Sequence, residues 1–221
     1  MRTGRSCLNV HSELGPTAKS DRDEKPMDYN IILADPPWPS VSTGARGNAA
    51  DNYRLMTLEE LCRVPVPAAE NCALFLWARS PALPEALQVM SAWAFRYVTV
   101  GFCWEKVTKT GAPHWGTGLY SRPSIELCLL GLRGKLEVRN HDVCQVIRAR
   151  RGQHSRKPDE QYGLIERLFG ELPRIELFAR REIIGWDCWG LQVGEGAEPS
   201  ESQQEDEQNK LARGLDKLWE E

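Results

Sequence analysis

Apolar positions fall into short unbroken runs separated by stretches rich in glycine, proline and charge. Residues 31–34 (Ile, Ile, Leu, Ala), led in by Tyr29, stop abruptly at Asp35-Pro36-Pro37, which reads as a strand buried on both faces that ends at a stiff turn. Residues 73–78 form a second such run, and 97–104, 125–132, 143–148 and 174–178 predict four more strands. Between them lie helical spacings. Thr57 with Glu60 three positions on is a capping-box pattern, and it opens a short helix that Pro65 must end. Leu83, Leu87 and Met90 recur at helical spacing within 83–93, and Pro158 opens a helix whose face carries Tyr162, Ile165 and Leu168 or Phe169. Strands alternating with helices predict an α/β fold with a mainly parallel sheet and helices on both faces. Ligands bind such sheets at the carboxyl ends of the strands, so the end of the first strand is where chemistry is expected.

Two long connections break this rhythm. Residues 40–52 hold Gly44, Gly47 and three alanines and read as a flexible loop, while 106–120 hold Gly111, Pro113, Gly116 and Gly118, the composition of a lid or binding loop. Residues 1–27 have no apolar periodicity and are expected to lack stable structure. Residues 28–193 form the expected domain, and 194–221 an acidic tail, largely disordered, with a frayed helix near 210–219.

Composition narrows the class. The 221 residues, 41% hydrophobic, suit one domain with tails and exclude a collagenous or wholly disordered chain. No apolar run approaches the length of a membrane helix and the polar start lacks a signal-peptide centre, so the chain reads as intracellular and cytoplasmic. Seven cysteines without a CxxC pair suggest neither a disulfide framework nor a zinc knuckle; reduced, mostly buried thiols are expected, and no metal site. The net charge of −3 is unevenly spread. From Glu195 onward nine acidic residues against three basic ones give −6, leaving residues 1–194 at +3, which keeps a nucleic-acid partner open.

Asp35-Pro36-Pro37-Trp38 is the most informative tetrapeptide. Two prolines make a stiff turn whose carbonyls are expected to be free to face a cleft, with an acceptor-only carboxylate on one side and a flat aromatic surface on the other. An exocyclic amino group on a planar base would find both N–H bonds accepted, by Asp35 and the Pro36 carbonyl, while Trp38 stacks on or walls in the ring. Such a clamp favours a pyramidal nitrogen aimed at an electrophile, so methyl transfer becomes a matter of alignment and charge placement.

Four segments in one order, Asp35-Pro36-Pro37-Trp38, Gly118 through Glu126-Leu127-Cys128-Leu129, His154-Ser155-Arg156-Lys157-Pro158-Asp159-Glu160, and Ile175-Glu176-Leu177-Phe178-Ala179-Arg180, resemble the adenine-N6 methyltransferase family. That family contains the catalytic subunit of the eukaryotic messenger-RNA methyltransferase and small bacterial and phage relatives. The resemblance runs from about Tyr29 to Gln192. It implies a Rossmann-like methyltransferase fold in permuted motif order, S-adenosylmethionine as methyl donor and a flipped adenine in nucleic acid as acceptor, DNA in preference to RNA because the chain is as compact as the bacterial and phage members. By position it assigns catalysis to Asp35, Pro36, Pro37 and Trp38. Asp35, Lys157, Glu176, Phe178, Arg180 and Gln192 fall to the cofactor, and Trp38, Tyr53, Glu126, Ser155 and Lys157 to the target base.

Several of these residues have a second reading. Lys157 suits a carboxylate as a point charge but is also an ordinary surface lysine; Glu126, on an apolar strand, needs a basic partner or a place in the cleft. Glu176 serves the cofactor or a structural ion pair on the far face of the sheet, and Tyr53 lies near the methyl or in the core. Leu191 stands where the family has asparagine, and Glu182-Ile183 replaces polar ribose contacts, departures that bear on cofactor affinity. Arg148, Arg150, Arg151, His154, Arg156 and Lys157, with Lys106, Lys109, His114 and Trp115, make either a solvated loop or a backbone groove with a stacking platform. A non-catalytic nucleic-acid-binding subunit is the competing class, against which the intact Asp35 and Trp38 weigh. The small catalytic domain leaves target recognition to short sequence preference, a protein partner or a second copy.

Overall fold

The computed structural model describes residues 28–39, 55–118, 120–152 and 156–190. Seven strands form one sheet: β1 (Tyr29–Ala34), β2 (Ala68–Ala78), β3 (Arg96–Val107), β4 (Ile125–Arg133), β5 (Val146–Arg150), β6 (Arg174–Leu177) and β7 (Asp187–Trp189). Their order is β5-β3-β4-β2-β1-β6-β7. Strand β1 pairs in parallel with β2 and β6, β3 with β5, and β6 with β7; β4 runs antiparallel to both β2 and β3. The exception has a local cause. Parallel neighbours need a crossover element, and the described part of the β3–β4 connection contains no helix, so β4 returns beside β3 in the opposite sense. The carboxyl ends of β1, β2, β3, β5 and β6 therefore share one edge of the sheet with the start of β4.

Helices cover both faces, as the pattern predicts. Residues of alternate parity on β1 and β2 point to opposite sides. Ile32, Ala34, Leu74 and Leu76 meet α1 (Leu58–Cys62) and α2 (Leu83–Ala92) through Leu61, Ala86, Val89 and Met90; Ile31, Leu33, Phe75 and Trp77 meet α3 (Glu160–Phe169) through Ile165 and Phe169. Each large side chain buried this way contributes about 1.5–3 kcal/mol of transfer free energy. Helix α1 starts with the expected capping box, Glu60 N–H donating to Thr57 Oγ1 at 3.2 Å and Thr57 N–H to Glu60 Oε2 at 2.7 Å. The Trp93 indole ties α2 to α1 by donating to the Leu61 carbonyl at 2.9 Å.

Some boundaries differ from the sequence reading. Strand β3 continues to Val107, where a bridge to Pro113 folds the following loop back on itself. Strand β5 starts at Val146 rather than 143, because pairing with β3 begins only at Cys103. Helix α3 begins at Glu160 and leaves Pro158 buried just ahead of it. Strand β7 is too short, and too exposed at Asp187 and Trp189, to give a periodic signal. The expectation of mostly buried thiols is corrected: Cys72 and Cys128 are buried, Cys62, Cys103 and Cys188 half-buried and Cys144 exposed, all six being free. Cysteine at 144 lies before β5 pairing begins, which leaves it outside the packed layers. Among the described residues no helix is long and apolar enough to cross a membrane. The predicted terminal segments 1–27 and 194–221, and the loop 40–52, lie outside the described residues.

Candidate active site

Strand β1 delivers Asp35 to the shared edge, immediately beyond the Ala34 that pairs with Leu76 and Leu177. The turn after it is held at three points. The Pro36 carbonyl accepts from Trp38 N–H at 2.8 Å, a three-residue turn for which a proline at its centre is already shaped; the Pro37 carbonyl accepts from Met56 N–H at 3.0 Å; and Arg79 donates to the Pro39 carbonyl at 2.8 Å. The carbonyls expected to be free thus each carry one bond, and each keeps a second lone pair. Trp38 is 5% exposed, sits in the α1/α2 layer of the core and donates its indole N–H to the Trp77 carbonyl at 2.8 Å. It braces the corner from within the core.

Around Asp35 the fold assembles a chain of alternating charges. Lys157 donates to both Asp35 oxygens, at 2.8 and 2.7 Å, and lies 3.3 Å from Glu126 Oε2; Lys106 donates to Glu126 Oε1. The Arg180 guanidinium lies 3.9 Å from Asp35 on the other side. The side chains of Lys157, Glu126 and Asp35 are 10%, 14% and 17% exposed, so these pairs act in a medium far less screened than water. An aromatic floor supports them. Lys157 sits over the Trp77 ring at 5.6 Å and Lys106 over Trp104 at 5.1 Å, and the two indoles meet edge to face at 6.5 Å. Buried Gln161 accepts the Trp77 indole N–H at 2.7 Å.

Burial pushes the Glu126 carboxyl up, but Lys157 and Lys106 outweigh it and hold the group below the usual carboxylate range. Burial likewise pulls the Lys157 ammonium down, and Asp35 and Glu126 together carry it above its ordinary value. Both stay charged. Glu176 differs. Burial raises it to about 7, Asp35 adds to the rise, and the hydrogen bond from Tyr162 Oη at 2.9 Å opposes it, with Arg181 and Arg180 helping. The Tyr162 hydroxyl is itself pushed up by burial and by the Glu176 charge.

The structure thus brings together Asp35, Lys157, Glu126, Glu176 and Arg180, with Lys157 no surface lysine and Glu176 on the α3 side of the sheet beside the cluster. Phe178, the residue after β6, has φ +61° and meets Trp189 edge to face at 5.5 Å. Tyr53, Ser155 and Gln192 lie outside the described residues. Two participants escaped the sequence reading in these roles. In sequence, Lys106 marks only a basic loop, although an acid on an apolar strand calls for such a cation; Tyr162 marks only a helix face, and nothing in its spacing points to the hydroxyl's partner.

The sequence profile of the family MT-A70 matches residues 29–192. Among characterised proteins, the type II methyltransferase M.MunI of Mycoplasma sp is 29% identical over an alignment covering 92% of this chain and 98% of its own length. The N(6)-adenosine-methyltransferase MT-A70-like of Arabidopsis thaliana is 30% identical over 75% of this chain, and the human N(6)-adenosine-methyltransferase catalytic subunit METTL3 is also 30% identical over 75%. The match spans only 24% and 28% of those two longer proteins.

Proposed function

The chain belongs to the MT-A70 family and is an adenine methyltransferase, and on that premise we propose that Asp35 and its partners direct a methyl group from S-adenosylmethionine to N6 of adenine in DNA. The observation that carries the reading is the buried Asp35–Lys157–Glu126 cluster at the carboxyl edge of the sheet.

The residues present suit the donor. Among the described residues Glu176 has one hydrogen-bond donor, Tyr162, for a carboxylate able to accept about four bonds, which leaves acceptor capacity for the hydroxyls of a ribose diol. Phe178 and Trp189 offer an aromatic pair next to it, and Trp189 is half exposed. Lys157 and Arg180 offer cations, and Asp35 an anion, to the two charges of a methionine group. Gln192, carried over from the family resemblance, would serve the adenine end. When bound, S-adenosylmethionine supplies a methyl carbon made electrophilic by a positively charged sulfur.

The chain's own work is alignment. Asp35 and the second lone pair of the Pro36 carbonyl accept the two N–H bonds of the target amino group, leaving its lone pair directed outward. Lys157 fixes both oxygens of Asp35 and so limits the carboxylate to one orientation. Glu126, kept ionised by two lysines, presents an acceptor for the target base, to which the family resemblance also assigns Tyr53 and Ser155, while Trp38 holds the corner from within the core. After transfer the nitrogen bears an extra proton and a positive charge, and Asp35 or water takes that proton.

DNA is favoured because the chain spans a compact type II methyltransferase almost end to end but only about a quarter of the N(6)-adenosine enzymes. Mass spectrometry of nucleosides from DNA and RNA, each incubated with the protein and an isotopically labelled methyl donor, tests this. Labelled N6-methyladenine in the DNA pool is expected. Label confined to RNA overturns the choice of acceptor, and label in neither pool overturns the activity.

A further inference from the structure

A second feature of the same edge lies away from Asp35. A cavity of about 1130 Å³ runs from Lys157 past Arg150 to the turn at 108–111, and a smaller recess of about 570 Å³ adjoins it, sharing Thr108, Lys109, Arg150 and Gly152. The recess is lined by Lys109, His114, Arg150 and Arg151 and by no carboxylate. Several neighbouring cations are paired, Arg148 with Glu105, Arg156 and Arg181 with Asp159, and Arg167 with Asp142; what sets the recess apart is that its unpaired cations share one concave lining. Among the described residues, Lys109, Arg150 and Arg151 have no such partner. Arg150 donates to the Lys109 carbonyl at 3.0 Å, which joins the two walls and leaves other guanidinium donors free. Concave, uncompensated positive charge focuses potential on an anion.

Position says which anion. The recess opens at the carboxyl ends of β3 and β5, three to four strand spacings from β1, or about 15–19 Å from Asp35. Trp115, 66% exposed, stands next to His114 as a stacking surface on the same loop. We propose that this recess holds a backbone phosphodiester of the DNA strand that carries the target adenine, a few nucleotides from the flipped base. The assignment rests on the methyltransferase reading but concerns a different contact. It anchors the strand while the Asp35 corner engages the base.

The test measures binding of the full chain to a labelled adenine-containing DNA duplex over a series of KCl concentrations. A K109A/R151A variant is expected to bind roughly tenfold more weakly at moderate salt, with the slope of log affinity against log salt reduced by about one. K135A, at the opposite end of the sheet on an exposed turn, serves as the control and keeps the wild-type slope. Inorganic pyrophosphate is expected to compete with DNA for the wild type and to compete less well for the double variant. An unchanged slope in K109A/R151A, or an equal reduction in K135A, overturns the proposal, as does a reduction seen with RNA of the same sequence but not with DNA. Methyladenine formed with the slope unmoved removes the recess alone. A reduced slope with no methyladenine in any pool removes the activity and leaves the recess standing.

Discussion

Lys157 donates to both carboxylate oxygens of Asp35, at 2.8 and 2.7 Å, across 122 positions of sequence, and the same ammonium lies 3.3 Å from Glu126. One buried cation therefore bridges two acids that stand at the ends of two different strands. Replacing it by methionine leaves Asp35 and Glu126, among the described residues, with Arg180 and Lys106 respectively as their remaining cations. Lys157→Met is expected to cost about 3 kcal/mol of stability at neutral pH, the usual penalty for orphaning buried charge. Without Lys157, the largest of the influences that lower it, burial would make the Glu126 carboxyl hold its proton to higher pH in the folded state than in the unfolded chain. Its contribution is then present at low pH and lost as pH rises, so the stability deficit should shrink toward pH 5. Urea unfolding of variant and wild type at pH 5 and 8 checks both sign and size; a deficit independent of pH would refute the shared-cation account.

Asp35 itself is expected to matter more to rate than to folding. Asp35→Ala leaves Lys157 paired with Glu126, which limits the structural damage, but it removes an acceptor aimed at the amino group. Loss of one such preorganised contact costs about 10²–10³ in rate. Labelled-methyl transfer to DNA at saturating donor reads this directly, and near wild-type transfer would mean that the amino-group clamp is wrong.

Trp38 makes the contrasting case. It is 5% exposed and hydrogen-bonded to the Trp77 carbonyl, so its first role is to hold the corner in place. Trp38→Phe keeps most of the buried surface but leaves the carbonyl unpaired, an expected loss of about 1–2 kcal/mol. Trp38→Ala opens a cavity and should cost about 3–5 kcal/mol. Denaturant melts separate these from an effect on base affinity alone, which would lower DNA binding without moving the unfolding midpoint.

The contrast between Asp35 and Trp38 also shows how far the sequence could be read. Burial on both faces of β1, the capping box at Thr57 and Glu60, and the two proline-stiffened steps after Ala34 are local signals, and each has its counterpart in the fold. Glu126 announced a need for positive charge because an acid on an apolar strand is costly. Which cation answered depended on β4 running antiparallel beside β3, and this register places Glu126 opposite Trp104, two residues from Lys106. The direction of the Trp38 ring and the Tyr162–Glu176 bond were not legible, since both are set by contacts between elements distant in sequence.

Glu176 gives the site a pH dependence with two opposed parts. Burial places its carboxyl at about 7, against 4.5 for an ordinary glutamate, with Asp35 adding to the rise and Tyr162 restraining it. Because the folded value is the higher one, its contribution to stability is fully present below about 4.5 and is lost as pH rises through 7. Donor binding runs the other way. An ionised Glu176 accepts two hydroxyl bonds and a protonated one accepts fewer, so affinity for S-adenosylmethionine should weaken several-fold from pH 8 to pH 6. Calorimetric titration is expected to show this slope in the wild type and to lose it in Glu176→Gln. Tyr162→Phe removes the donor that favours the charged form, so the midpoint should move above 7 while a slope remains. A midpoint unmoved by that substitution would show that the titrating group is another one.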